Sequence, residues 1–130
     1  MKNVLVKSSA APDPARWAMM VGRFQPFHEG HRWLVEQILA EGKRVLICVR
    51  DMPPDEKNPW TANEVVARIG RDLWRQVGKG LVRVMIIPDI DSINFGRDVG
   101  YDVVEWVPPS EVAAVSATKI RQQMRGGQGQ

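Results

Sequence analysis

The chain has 130 residues, 44% of them apolar and 25% charged, with a formal net charge of +3. That is the make-up of one globular domain with one core. It excludes a disordered chain and a two-domain protein. No apolar run reaches the ~18 residues of a membrane span, and no dense Lys/Arg cluster marks a nucleic-acid footprint. The small positive excess suits a small phosphorylated ligand.

The start, "MKNVLVKSSAAPDPARW", has too short an apolar core for a signal peptide. Residues 3–7 read as a short edge strand or as disorder. The turn-like "SSAAPDPA" (8–15) closes an N-terminal extension over 1–15. The domain proper is expected over 16–125. "WAMMVG" (17–22) is a short apolar run ending in glycine, as a buried parallel strand would be. A helix follows over about 29–41, with Leu34/Ile38 and Val35/Leu39 as i,i+4 pairs and Gly42 as its stop.

"RVLICV" (44–49) is a second buried strand. It contains Cys48, the only cysteine, which reads as a core thiol. A single cysteine allows no disulfide within the chain and fits a reducing, cytoplasmic setting. The Pro-rich loop "RDMPPDEKNP" (50–59) is longer than a strand-to-helix link needs, a length often kept for function. "TANE" (61–64) is a capping box, and the helix it opens carries Val65, Ile69 and Leu73 on one face and ends near Gly78. "LVRVMII" (81–87) is a third strand, residues 89–101 are irregular, and "DVVEWV" (102–107) is a fourth strand. "SATKIRQQM" (116–124) opens a last helix, and 126–130 form a flexible tail.

This alternation predicts an α/β domain: a Rossmann-like parallel sheet with helices on both faces. Such sheets bind ligands at the carboxyl edge, where strand order reverses. "GRFQPFHEGH" (22–31) falls at that edge and runs into a helix N-terminus, where free N–H groups and the helix dipole favour an anion. Gly22 would let the backbone approach a bound group, and Gly30 would leave room for a phosphate. His28 and His31 can face one anion and donate hydrogen bonds to it. A zinc site is disfavoured, because HEGH is not HExxH and a third ligand is missing.

"GRFQPFHEGH" resembles the signature of the HxGH nucleotidyltransferase (cytidylyltransferase-like) superfamily, and "SATKIR" (116–121) resembles its second, ISxTxIR-type motif. Within it the chain is most similar to the archaeal-type nicotinamide-mononucleotide adenylyltransferases. "NPWTANE" (58–64) resembles their "NPFTAGER" segment, and "IPDID" (87–91) their sequence after the third strand. The resemblance implies that an acceptor phosphate attacks the α-phosphorus of ATP and pyrophosphate leaves. His28, His31 and Lys119 would serve catalysis. Gly22, Arg23, Phe24, Gly30, Ser116, Thr118 and Arg121 would bind the nucleotide, with Mg2+ bridging triphosphate oxygens. Arg50, Asp51, Asn58, Asp89 and Arg97 are candidates for the acceptor, and the family's habit implies a homo-oligomer.

Two departures concern the acceptor. The stretch between the third strand and "SATKIR" is shorter than in the archaeal-type enzymes, and Val65 stands where "TAGER" has Arg. NMN, giving NAD, is the leading acceptor, with related phosphorylated small molecules beside it. A cytidylyltransferase using CTP and a polyol or head-group phosphate remains open, as does a non-catalytic nucleotide sensor. The Gln25-Pro26 pair argues for ATP, because cytidylyltransferases read closer to G-x-F-D-x-x-H-x-G-H.

Overall fold

The computed structural model describes residues 1–8, 13, 15–97 and 100–110. The helix expected over 116–124 and the tail lie outside them. Eight elements follow in order: β1 (Lys2–Val6), β2 (Trp17–Gly22), α1 (Glu29–Ala40), β3 (Arg44–Asp51), α2 (Ala62–Asp72), α3 (Trp74–Gly78), β4 (Val82–Pro88) and β5 (Val103–Trp106).

Strands β2, β3 and β4 pair in parallel, in that order. Their register sets Ala18 beside Val45 and Val82, Met20 beside Ile47 and Val84, and Gly22 beside Val49 and Ile86. Side chains alternate across a strand, so these rows share one face. There they pack with Val35 and Ile38 of α1 and with Val65 and Ile69 of α2 in a single core cluster. Val45, Ile47, Val49 and Ile69 are each 0% exposed.

Both crossovers step the same way across the sheet, so the right-handed rule sends both helices to the same face. The expected parallel α/β core is thus present, and the described long helices cover one of its faces. Met19 and Met85 on the other face are 60% and 38% exposed. Cys48, also on that face, is buried as expected, and burial pushes its thiol pKa up. Among the described residues no helix is long and apolar enough to cross a membrane.

Three expectations need correction. Strand order does not reverse among the described strands, so the site is located by the carboxyl edge alone. The "DVVEWV" strand does not join the parallel sheet. A parallel partner needs a long crossover, usually a helix, whereas residues 89–97 after β4 are irregular. Instead β5 pairs antiparallel with β1, from Lys2↔Trp106 to Val6↔Val103. The strand read at 3–7 therefore forms, as Lys2–Val6, and Trp106 sets its ring edge-on to Trp33 of α1, with centroids 6.1 Å apart. Lastly, the helix opened at Thr61 breaks at Leu73 (φ −114°, ψ 29°), dividing α2 from α3. Leu73 is buried and packs into the core there.

Ile69→Ala should cost about 2–5 kcal/mol, the range for opening a cavity in a closed core. It should lower the urea midpoint without changing the slope of the transition.

Candidate active site

β2 delivers the chain to the carboxyl edge at Gly22, and α1 begins at Glu29 after six intervening residues. The N-cap of α1 is His28, in extended geometry (φ −121°, ψ −176°). Its Nδ1 accepts the N–H of Gly30 at 3.0 Å. His31 returns the exchange: its Nδ1 accepts the N–H of His28 at 3.2 Å. This is a capping box in which imidazoles take the places usually held by Ser or Thr and Glu. A ring nitrogen that accepts an N–H carries no proton, so each neutral ring bears its hydrogen on Nε2. The two rings stack with centroids 3.9 Å apart and planes at 22°. The cap therefore makes both histidines Nε2–H donors.

Aromatic rings set the surroundings of His31. Phe24 meets it edge-on at 4.9 Å, and Phe27 stacks on it at 5.3 Å. Burial first, and the neighbouring His28 second, lower the His31 pKa from the ordinary 6.5 to about 4. His31 is thus neutral at pH 7. Protonating it at Nδ1 would also direct a hydrogen at the His28 N–H and break the cap.

Both glycines also answer to the packing of their own turn. A Cβ on Gly30 would lie 2.9 Å from Cε1 of His28, and one on Gly22 would lie 3.0 Å from the Phe24 ring. Side chains of the turn itself stand where either Cβ would point. Phe24 holds φ 54°, the one positive φ among the described non-glycine residues.

The turn is tied to the long loop before α2. Arg23 donates to the Pro53 carbonyl at 2.8 Å and pairs with Asp55 at 3.3 Å. Its Nε is buried without a hydrogen-bond partner. Asp55 accepts from the backbone N–H groups of Lys57 and Asn58 and from the Asn58 amide. The Asn58 amide bond leads the causes that hold the Asp55 carboxyl below its usual range. Gln25, absent from the sequence-based candidates, pairs its amide with both backbone groups of Trp60. An amide between Phe24 and Pro26 in an apolar turn was the signal available for it.

Gly22, Arg23, Phe24, His28, Gly30 and His31 thus meet in one turn. Arg50 and Asp89, both offered for an acceptor, bind each other: the Arg50 guanidinium donates twice to one Asp89 oxygen, at 2.6 and 2.9 Å. They lie at the carboxyl ends of β3 and β4, on the same edge as Gly22. Asp51 ends β3, exposed. Asn58 serves its own loop rather than open solvent. Arg97 is exposed beyond β4, and among the described residues no hydrogen bond or ion pair joins it to the histidine turn. Ser116, Thr118, Lys119 and Arg121 lie outside the described residues. No group of three or more His, Cys, Asp or Glu among the described residues is arranged to hold a metal ion.

A cytidylyltransferase-like family model matches residues 19–81, a span that contains the whole turn. The chain is 33% identical over 97 residues to a nicotinamide-nucleotide adenylyltransferase of Caldivirga maquilingensis, covering 73% of this chain and 53% of that protein. It is 33% identical over 136 residues to the enzyme of that name from Sulfurisphaera tokodaii, covering 82% and 78%. For the one from Pyrobaculum aerophilum the identity is 41% over 73 residues, covering 55% and 40%. Apart from the Sulfurisphaera protein, the chain spans about half or less of these relatives' length. No solved structure matches it.

The depressed His31 pKa fixes a pH dependence. The folded value near 4 lies below the unfolded 6.5. Between those values the unfolded chain binds the extra proton, so stability falls as the pH drops from 6.5 towards 4 and is flat above. Imidazole 15N spectra should show the Nε2–H tautomer for His31 at pH 7 and a His31 midpoint near 4. A midpoint near 6.5 would contradict the buried cap.

Proposed function

This chain belongs to the cytidylyltransferase-like family, and from that premise we propose that it is an adenylyltransferase. It moves an AMP unit from ATP to the phosphate of a small molecule, NMN before any other, giving NAD and pyrophosphate. One observation carries the reading: two stacked imidazoles, locked as Nε2–H donors, stand at a helix N-terminus on the carboxyl edge of a parallel sheet. The names of the archaeal relatives support adenylyl over cytidylyl transfer, and no observation favours CTP or a sensor.

In the reaction an acceptor phosphate oxygen forms a bond to the α-phosphorus. The bond from that phosphorus to the bridging oxygen of the β-phosphate breaks, and pyrophosphate leaves with the electron pair. Negative charge moves onto the leaving oxygens, so the chain needs donors in place rather than a nucleophile. His28 and His31 supply two such donors, and the α1 N-terminus adds its partial positive charge. A neutral His31 gives up no proton during the step. It needs only to be held still, which the cap and the Phe rings do.

Ser116, Thr118, Lys119 and Arg121 are assigned to the β- and γ-phosphates by their motif. Magnesium is assigned to the triphosphate it accompanies. The described residues offer it no group of three or more His, Cys, Asp or Glu. On the acceptor side Arg50 is the leading group. Its pairing with the exposed carboxylate of Asp89 is weak enough to be exchanged for a phosphate. Asp51 and Arg97 are further candidates, and Asn58 acts through its loop. A cytoplasmic homo-oligomer without nucleic-acid partners completes the reading.

The test is NAD and pyrophosphate formation from ATP and NMN, with CTP and other phosphorylated acceptors run alongside. Tight ATP binding without pyrophosphate release from any pair would overturn the enzyme. In the active protein, His31→Ala should lower turnover about 10²–10³-fold, the scale for one transition-state donor. Its fold should be checked by circular dichroism, because the cap is lost too. Lys119→Ala should chiefly raise the KM for ATP. A change confined to the acceptor would remove Lys119 from the triphosphate.

A further inference from the structure

Among the described residues Gln25 is the one buried polar or charged side chain, 4% exposed. Its Nε2 donates to the Trp60 carbonyl at 2.7 Å, and its Oε1 accepts the Trp60 N–H at 3.1 Å. The amide therefore stands in for a peptide group, making with Trp60 the pair of bonds that two strands exchange. The partner residue is held in turn. Trp60 directly precedes Thr61, the N-cap of α2, whose side chain accepts the Glu64 N–H at 3.2 Å. The Trp60 ring also carries the Arg68 guanidinium at 3.9 Å from its centroid. Gln25 thus anchors the histidine turn to a rigid point at the head of α2.

Two residues earlier Arg23 makes the second attachment, to Pro53 and Asp55. Phe24 lies between the two anchors, in the left-handed region at φ 54°. An L-residue with a large side chain holds that conformation only where its surroundings insist. Its ring is buried, 6% exposed, as part of the core cluster. That ring is the edge set against the His31 imidazole at 4.9 Å.

We propose that Gln25 is a positioning residue: by pinning the turn to Trp60 it holds Phe24 in the left-handed conformation, and the Phe24 ring fixes the orientation of His31. It touches no reacting atom. The role is separable from mere stability, because the ring that it places also shields His31 from water. For kinetics the proposal rests on the adenylyl-transfer reading; for the state of His31 it does not.

The experiment compares Gln25→Glu, Gln25→Met and Phe24→Leu with the parent, by steady-state kinetics and by 15N titration of the imidazoles. Glu keeps the shape of Gln25 but sets a carboxylate oxygen against the Trp60 carbonyl. Met removes both bonds. Leu keeps the amide pair and removes the ring. All three should lower kcat about 10–100-fold, the scale for misplacing a reacting group, with little change in KM. In all three the His31 midpoint should move up from about 4 towards 6.5. A folded variant that keeps the parent's His31 midpoint overturns the proposal, whether or not kcat falls. Failure of Gln25→Glu and Gln25→Met to fold leaves Phe24→Leu to decide it by the same readout. A parent inactive with every substrate pair overturns the proposed function, while the imidazole titrations still decide the role of Gln25.

Discussion

The exchange of two backbone N–H groups for two imidazole nitrogens at the start of α1 is the interaction on which the site depends. Helix N-termini leave donors unsatisfied, and most chains answer with a hydroxyl or a carboxylate. Here the acceptors are His28 and His31. Because the cap consumes the Nδ1 lone pairs, it dictates where the protons sit. The same hydrogen bonds that begin the helix leave the Nε2–H groups as donors, so folding and chemistry are set by one act.

The price of that arrangement is local crowding. Stacked rings at 3.9 Å need a residue without a side chain at position 30, and the Phe24 ring needs one at position 22. Burial among Phe24, Phe27 and His28 lowers the basicity of His31, giving up a full positive charge at the helix start. What is gained is a single protonation state and a fixed direction across the neutral pH range. For the proposed adenylyl transfer, which moves charge between phosphates without passing a proton to the protein, direction is worth more than basicity.

The scaffold explains why so short a chain can hold such a turn. Two crossovers of the same hand place α1 and α2 side by side on one face of the sheet. The loop entering α2 therefore passes close to the turn entering α1. Arg23 and Gln25 exploit that proximity, fastening one loop to the other. At the same edge Arg50 and Asp89 join the ends of β3 and β4. The β1–β5 ribbon is anchored on α1 through Trp106 and Trp33, and Lys2 reaches Glu41 at 2.9 Å.

Local signals carried much of this fold. Apolar runs marked β2, β3 and β4, periodicity marked α1, and Thr61 with Glu64 announced the cap of α2 within a residue. The histidine turn was legible because its residue types and spacing have few other uses. The partner of β5 was not legible, since a four-residue strand can pair with any open edge and only the three-dimensional path of the chain selects β1. Nor were the tasks of Gly22, Gly30 and Gln25. Each depends on a neighbour reached through space: an aromatic ring, an imidazole, and a backbone 35 residues away. The sequence by itself determined which residues stand in the turn and open the helix, because apolar runs, periodicity and spacing are local. Tertiary structure decided their protonation, direction and support, because those follow from burial and hydrogen bonds that exist only once the two loops lie together.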